Sequence, residues 1–217
     1  MNPRIRKLTV LAVLSAMAYA AVFFIRIPFI PAVSFLKYEP KDIIITIGGF
    51  LFGPMSAAAM SVVVSFIEMF TISETGYYGL IMNVVSSCAF ACTASLIYKK
   101  NRTLKGALVG LTAGWLTAVG IMMLWNYIIT PIYLKIPRDF VVPLLIPGFL
   151  PFNLIKYGLN AAAVLLVYKP LSLALRRANV IQNPYGSTGR INTGIILVSL
   201  FAMVTGVLLM LVYKGVI

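Results

Sequence analysis

The chain has 217 residues, of which 61% are apolar and only 11% charged, against roughly 45–50% and about 25% in an ordinary soluble domain. A mean hydropathy of +0.98 carried in long unbroken apolar blocks excludes both a soluble enzyme and a membrane β-barrel, whose strands alternate in polarity, and leaves an all-α integral membrane protein. The net charge of +13 would suggest a nucleic-acid partner in a soluble protein, but here the basic residues sit at the ends of apolar segments, so no nucleic acid is expected.

Apolar periodicity and breakers predict helices at 7–25, 41–53, 54–72, 79–98, 104–130, 150–175 and 191–213. The first has no small-residue cleavage site, so it is expected to be retained rather than removed as a signal peptide. It carries Ala12, Ala16 and Ala20, a ridge at i, i+4, i+8 that permits close helix approach, for internal packing or external docking. Gly53-Pro54 divides the second helix from the third at a tight turn. The fourth helix holds Asn83 in its first turns, then Cys88 and Cys92, read as small core residues because two cysteines on one helix do not make a disulfide framework.

The fifth helix carries Asn126, near its far end, in Leu124-Trp125-Asn126-Tyr127. Alone, an intramembrane asparagine is commonly a helix–helix hydrogen bond worth about 0.6 kcal/mol. The sixth is approached through the breaker-rich Ile146-Pro147-Gly148-Phe149-Leu150-Pro151 and contains Lys156. A lysine at membrane depth costs about 2.5–3.5 kcal/mol, so it should face a protein interior and a partner. Asn153, Lys156 and Asn160 fall at i, i+3 and i+7 and form one polar stripe. The alternative is that Lys156 snorkels to the interface or pairs with Glu68 near the end of the third helix. Beyond it, 179–190 reads as a polar linker, dividing a six-helix substrate-binding unit at 1–178 from an additional transmembrane helix at 191–217.

Asn126, Asn153, Lys156 and Asn83 would ring a cavity, with Trp125, Tyr127, Phe152 and Tyr157 available to stack on a planar ligand. Amides offer both donor and acceptor, which suits a heterocycle with an alternating edge better than an ion. Catalysis is not expected: there is no histidine and no phosphate loop, and four of the five carboxylates fall in or beside predicted loops. No metal site and no cofactor are expected either. Basic residues orient the chain: eleven lie at the amino terminus, 99–105 and 169–190, and six at Arg26, Lys37, Lys41, Lys135, Arg138 and Lys214, so the amino terminus is expected to be cytoplasmic.

The order of these features resembles the substrate-binding S components of energy-coupling factor vitamin transporters, specifically the riboflavin-binding ones. The resemblance rests on Ala12-x-x-x-Ala16, the Phe29-Ile30-Pro31 to Asp42 loop, Phe50-Leu51-Phe52-Gly53-Pro54, Gly79-x-x-x-Asn83, Asn126-Tyr127 before Pro131-x-Tyr133 and, most specifically, Pro151-Phe152-Asn153-Leu154-Ile155-Lys156. It spans roughly residues 8–175; the extension 182–217 departs from the six-helix pattern. It implies a multi-pass protein of the bacterial plasma membrane that binds riboflavin or a close flavin as transported ligand. It further implies flavin contacts for Asn126, Asn153 and Lys156, with Lys37 and Tyr38 on a loop that closes over the ligand. The implied partners are a transmembrane coupling protein and two cytoplasmic ATPase subunits. An S component for another vitamin or precursor is one alternative; a small lipid-modifying intramembrane enzyme is another.

Overall fold

The computed structural model describes residues 2–177 and 193–216. The linker expected at 179–190 therefore lies, with Arg190 and Asn192, outside the described residues. Helix α1 (Pro3–Phe24) begins at Asn2, whose Oδ1 accepts from the Arg4 amide at 3.0 Å, with Pro3 in the first turn where its missing N–H is not needed. Val10, Leu14, Ala18 and Val22 recur every fourth residue and are buried. Ala12 and Ala16 lie two residues along, about 200° around the axis, and are exposed, while Ala20 is half-buried.

Residues 25–40 form a connection that folds back into the bundle. It is closed by Ile27 and Tyr38, which exchange backbone hydrogen bonds of 3.1 and 2.9 Å. Its Phe29, Ile30, Val33 and Leu36 are buried against Phe149, Phe152, Ile155 and Leu159. Each such large apolar side chain contributes about 1.5–3 kcal/mol by burial. The loop is therefore part of the core.

Helix α2 (Lys41–Phe52) has 12 residues, about 18 Å against a hydrocarbon thickness of about 30 Å. Six helical segments among the described residues are long and apolar enough to cross a membrane; α2, expected to be one of seven crossings, is not among them. At Gly53 the chain reverses with φ 94°, a left-handed conformation costly for other residues, and Pro54 opens α3 (Pro54–Thr71). Gly49 brings α2 so close to its neighbours that a Cβ there would fall 2.9 Å from the Ala57 Cβ.

Helices α4 (Gly76–Ser87) and α5 (Thr93–Lys100) make one span through a wide π turn at Cys88–Cys92. Helix α6 (Leu104–Leu134) is capped by Thr103, whose hydroxyl accepts from the Gly106 amide at 3.1 Å. The approach to the sixth predicted helix, expected to be broken by its prolines, is helical: α7 (Arg138–Val141) and two tight or wide turns lead into α8 (Leu150–Arg177). Pro143 and Pro151 are tolerated because each falls in the first turn of a new segment. The last helix, α9 (Thr193–Lys214), packs along α8, where a Cβ on Gly206 would lie 2.5 Å from Leu159, and buries Met210 in the loop's apolar cluster.

The bundle has two distinct ends. Lys7 Nζ lies 6.0 Å from the Phe52 ring, so the start of α1 and the Gly53 turn share one end. At the other, the 25–40 loop meets the 72–75 connection: Arg26 Nη1 donates to the Ile72 carbonyl at 2.6 Å, and Lys37 pairs with Glu74 at 2.5 Å.

Candidate functional site

A cleft of about 640 Å³, mouth included, opens at the loop end among the 25–40 loop, the 72–75 connection, α3, α4, α6 and α8. Among its lining residues are Lys37, Asn83, Asn153 and Lys156, with Phe152 and Tyr157. One turn of α8 separates Asn153 from Lys156, so both face the cleft for the reason the polar stripe predicts. Asn153 donates from Nδ2 to the Phe149 carbonyl at 2.8 Å, leaving its amide oxygen for another partner. Lys156 is 6% exposed, with Nζ 5.5 Å from the Tyr157 ring centre, and no carboxylate among the described residues pairs with it.

Glu68 is engaged elsewhere. Its Oε2 accepts from Lys41 Nζ at 2.5 Å and from Asn83 Nδ2 at 2.9 Å, and Lys41 also pairs with Glu39 at 3.1 Å. The sequence reading placed Lys41 among the end charges and kept the carboxylates near loops. In the structure Lys41 and Asp42 are fully buried, and Glu39 and Glu68 are 5% and 2% exposed. The reason is the dipping loop, which carries the start of α2 inside the bundle. Asp42 accepts from Ser87 Oγ at 2.5 Å and from Asn160 Nδ2 at 3.5 Å, while Tyr38 Oη donates to Asn160 Oδ1 at 3.2 Å. The third member of the polar stripe thus belongs to this network beneath the cleft.

Titration follows the charges. Burial pushes the Glu39 carboxyl up, but Lys41, Lys156 and Arg26 together overcome it and hold the group at about 2. The field of Lys156 therefore reaches Glu39. Burial, helped by Asp42, pushes the Tyr38 phenol up to about 12. At the rim, hydrogen bonding to Lys37 lowers the carboxyl of the exposed Glu74.

Asn126 is apart from the cleft lining: fully buried, it donates to the Met122 carbonyl at 2.7 Å and accepts from Thr130 Oγ1 at 3.0 Å. Thr130 and Trp125 line a smaller recess of about 290 Å³ that adjoins the cleft through shared Phe35, Thr75 and Met82. Tyr127 is on the outside, under the Arg138 guanidinium at 4.7 Å. Sequence reasoning missed Phe35, Met82 and the Lys41, Asp42, Glu39, Glu68 network. A Lys-Asp pair directly after Pro40 and before an apolar run was the available signal for the last.

Among the described residues of the cleft, a cation outside any ion pair, amides, a held carboxylate and aromatic rings under the 25–40 loop form a binding set without a nucleophile and base pair. The fold and cleft define a helical membrane protein with a small-molecule site at one end. Residues 6–168 match the family described as ECF transporter, substrate-specific component, and the chain belongs to that family. It is 26% identical over 79% of its length to the riboflavin transporter RibU of Staphylococcus aureus (strain TCH60), covering 93% of that protein. It is 29% identical over 78% of its length to RibU of Streptococcus thermophilus (strain ATCC BAA-250 / LMG 18311), covering 84% of it. A solved structure of the S component of a bacterial ECF transporter superposes with a TM-score of 0.68 at 26% identity, covering 80% of this chain and 99% of that one. These relatives are transport components rather than enzymes.

Proposed function

We propose that this chain captures riboflavin, or a close flavin, from outside the bacterial plasma membrane and hands it inward when docked on a coupling module. The observation that carries the reading is the cleft lined together by Asn153 and Lys156 of α8 and Asn83 of α4, beside Phe152 and Tyr157. Lys156 supplies a donor outside any ion pair, Asn153 an amide oxygen, and the adjoining recess the aromatic side chains of Trp125 and Tyr133. Lys37 and Tyr38 belong to the covering loop, and Asn126 supports the recess through Thr130. The excess of basic residues at the Lys7 end orients that end to the cytoplasm and the cleft to the outside. The exposed Ala12 and Ala16, with Ala20, make a narrow ridge on which a transmembrane coupling protein docks, itself driven by two cytoplasmic ATPases. Residues 1–178 form the binding unit, and 191–217 add a helix beside it.

Absorbance of protein purified without added ligand tests the reading. A yellow preparation with flavin bands, or quenching of flavin fluorescence on titration, is the expected result. A colourless protein that quenches no flavin would refute it.

A further inference from the structure

We propose that Glu68, an α3 residue lining the cleft, supplies a hydrogen-bond acceptor to the bound ligand: its Oε1, covered in this fold, receives a ligand N–H or O–H once the cleft is filled, while Lys41 and Asn83 hold the other oxygen. The inference rests on the flavin reading above and extends the site to a helix that sequence reasoning left out of it.

Glu68 is 2% exposed and lines the cleft. Its two oxygens are treated unequally. Oε2 takes both Lys41 Nζ, at 2.5 Å, and Asn83 Nδ2, at 2.9 Å, whereas Oε1 is buried and receives no donor among the described residues. A carboxylate has about four acceptor positions, and a buried one left unmatched is costly, so such groups are few in native proteins. Rotating the carboxylate to share the load would break the two bonds that hold it. Lys41, itself fully buried and paired with Glu39, fixes the orientation from below.

The cleft is consequently two-sided. Lys156 on α8 offers donors, and Glu68 on α3 offers an acceptor. A flavin matches both: its ring edge carries carbonyl oxygens and one imide N–H, and its side chain carries hydroxyls. Because Lys41 balances Glu68 whether or not ligand is present, the ligand donor can be neutral.

The test titrates purified wild-type protein, Glu68→Gln and Glu68→Asp with riboflavin, 3-methylriboflavin, which lacks the imide N–H, and lumiflavin, which lacks the hydroxyls. Wild type is expected to lose about tenfold or more in affinity on the analogue missing the donor that Glu68 takes. In Glu68→Gln, Lys41 and Asn83 retain the side-chain carbonyl and the amide NH₂ replaces the acceptor. Riboflavin should then bind roughly ten- to a hundredfold more weakly, with no further loss on that analogue. Glu68→Asp keeps a negative charge near Lys41 but draws both oxygens back by one methylene, so it should weaken binding, and a thermal melt beside the titration reports separately on the Lys41 pair. Riboflavin bound as tightly as by wild type in either folded variant overturns the proposal. So does an analogue series in which wild type loses nothing, or in which the variants lose the same factors as wild type, since Glu68 would then serve Lys41 alone. Wild type that binds no flavin at all is a separate outcome, and overturns the flavin reading itself.

Discussion

Lys41 and Lys156 are both buried, yet only Lys41 has carboxylates against it, Glu39 at 3.1 Å and Glu68 at 2.5 Å. Removing one partner of a buried pair leaves an uncompensated charge and costs about 3–5 kcal/mol. Lys41→Ala should therefore fail as a fold. Lys156→Ala breaks no direct ion pair and only weakens the field at Glu39, so it should melt closer to wild type than Lys41→Ala while losing about 1–3 kcal/mol of flavin affinity, as should Asn153→Ala. Fluorescence quenching beside a thermal melt separates the two lysines; full affinity in Lys156→Ala would leave that residue without a ligand role. Glu39 gives the pH dependence. Its carboxyl is held at about 2, below its usual 4.5, so it stabilises the fold fully above the ordinary value and loses that contribution as pH falls from there toward 2. Melting temperature should be flat near neutrality and fall below about pH 5, with a shallower fall in Glu39→Gln.

At the scale of the element, α1 divides its two faces by a rule that sequence spacing already contains. Val10, Leu14, Ala18 and Val22 bury one stripe, and the small side chains of Ala12 and Ala16 are left outside between the exposed Leu8, Val13 and Met17. Ala12→Trp or Ala16→Trp should leave flavin affinity unchanged in the isolated protein and abolish uptake in cells carrying the coupling module. Retained uptake would remove the docking role, and loss of both would indicate misfolding. Local periodicity makes such faces legible, as it does the Asn153 and Lys156 pair. It does not reveal that Lys41 meets Glu68, 27 residues away, or that Asn160 meets Asp42, 118 away. Those contacts depend on how far the 25–40 loop descends, which no repeat in the chain encodes. Asn126 shows the converse limit, since a polar residue in an apolar helix can spend its amide on its own preceding turn.

For the whole molecule, α9 lies beyond the matched residues 6–168 yet contacts the same apolar cluster that positions Phe152. Met210 is 7% exposed there, and Gly206 lets the backbone sit against Leu159. The polar groups of the cleft all come from earlier elements, so truncation after Asn179 should keep flavin binding within a few-fold of wild type. Losing the packing of Met210 and of Gly206 against Leu159 should lower the melting temperature. A truncated protein that stays monodisperse in detergent but no longer quenches flavin would make α9 part of the binding domain.

The wide turn at Cys88–Cys92 acts as a rotational offset. A π turn carries one residue more than the α-helix around it, and each residue advances the helix by about 100°. The half of the span bearing Asn83 is thus rotated by about that angle relative to the half bearing Ala94, compared with an unbroken helix. In that phase Asn83 donates to Glu68 at 2.9 Å. The aim of one cleft wall is therefore set by a single surplus residue in mid-span, so ligand recognition in this chain can be retuned by changing a count of residues without changing any side chain that lines the site.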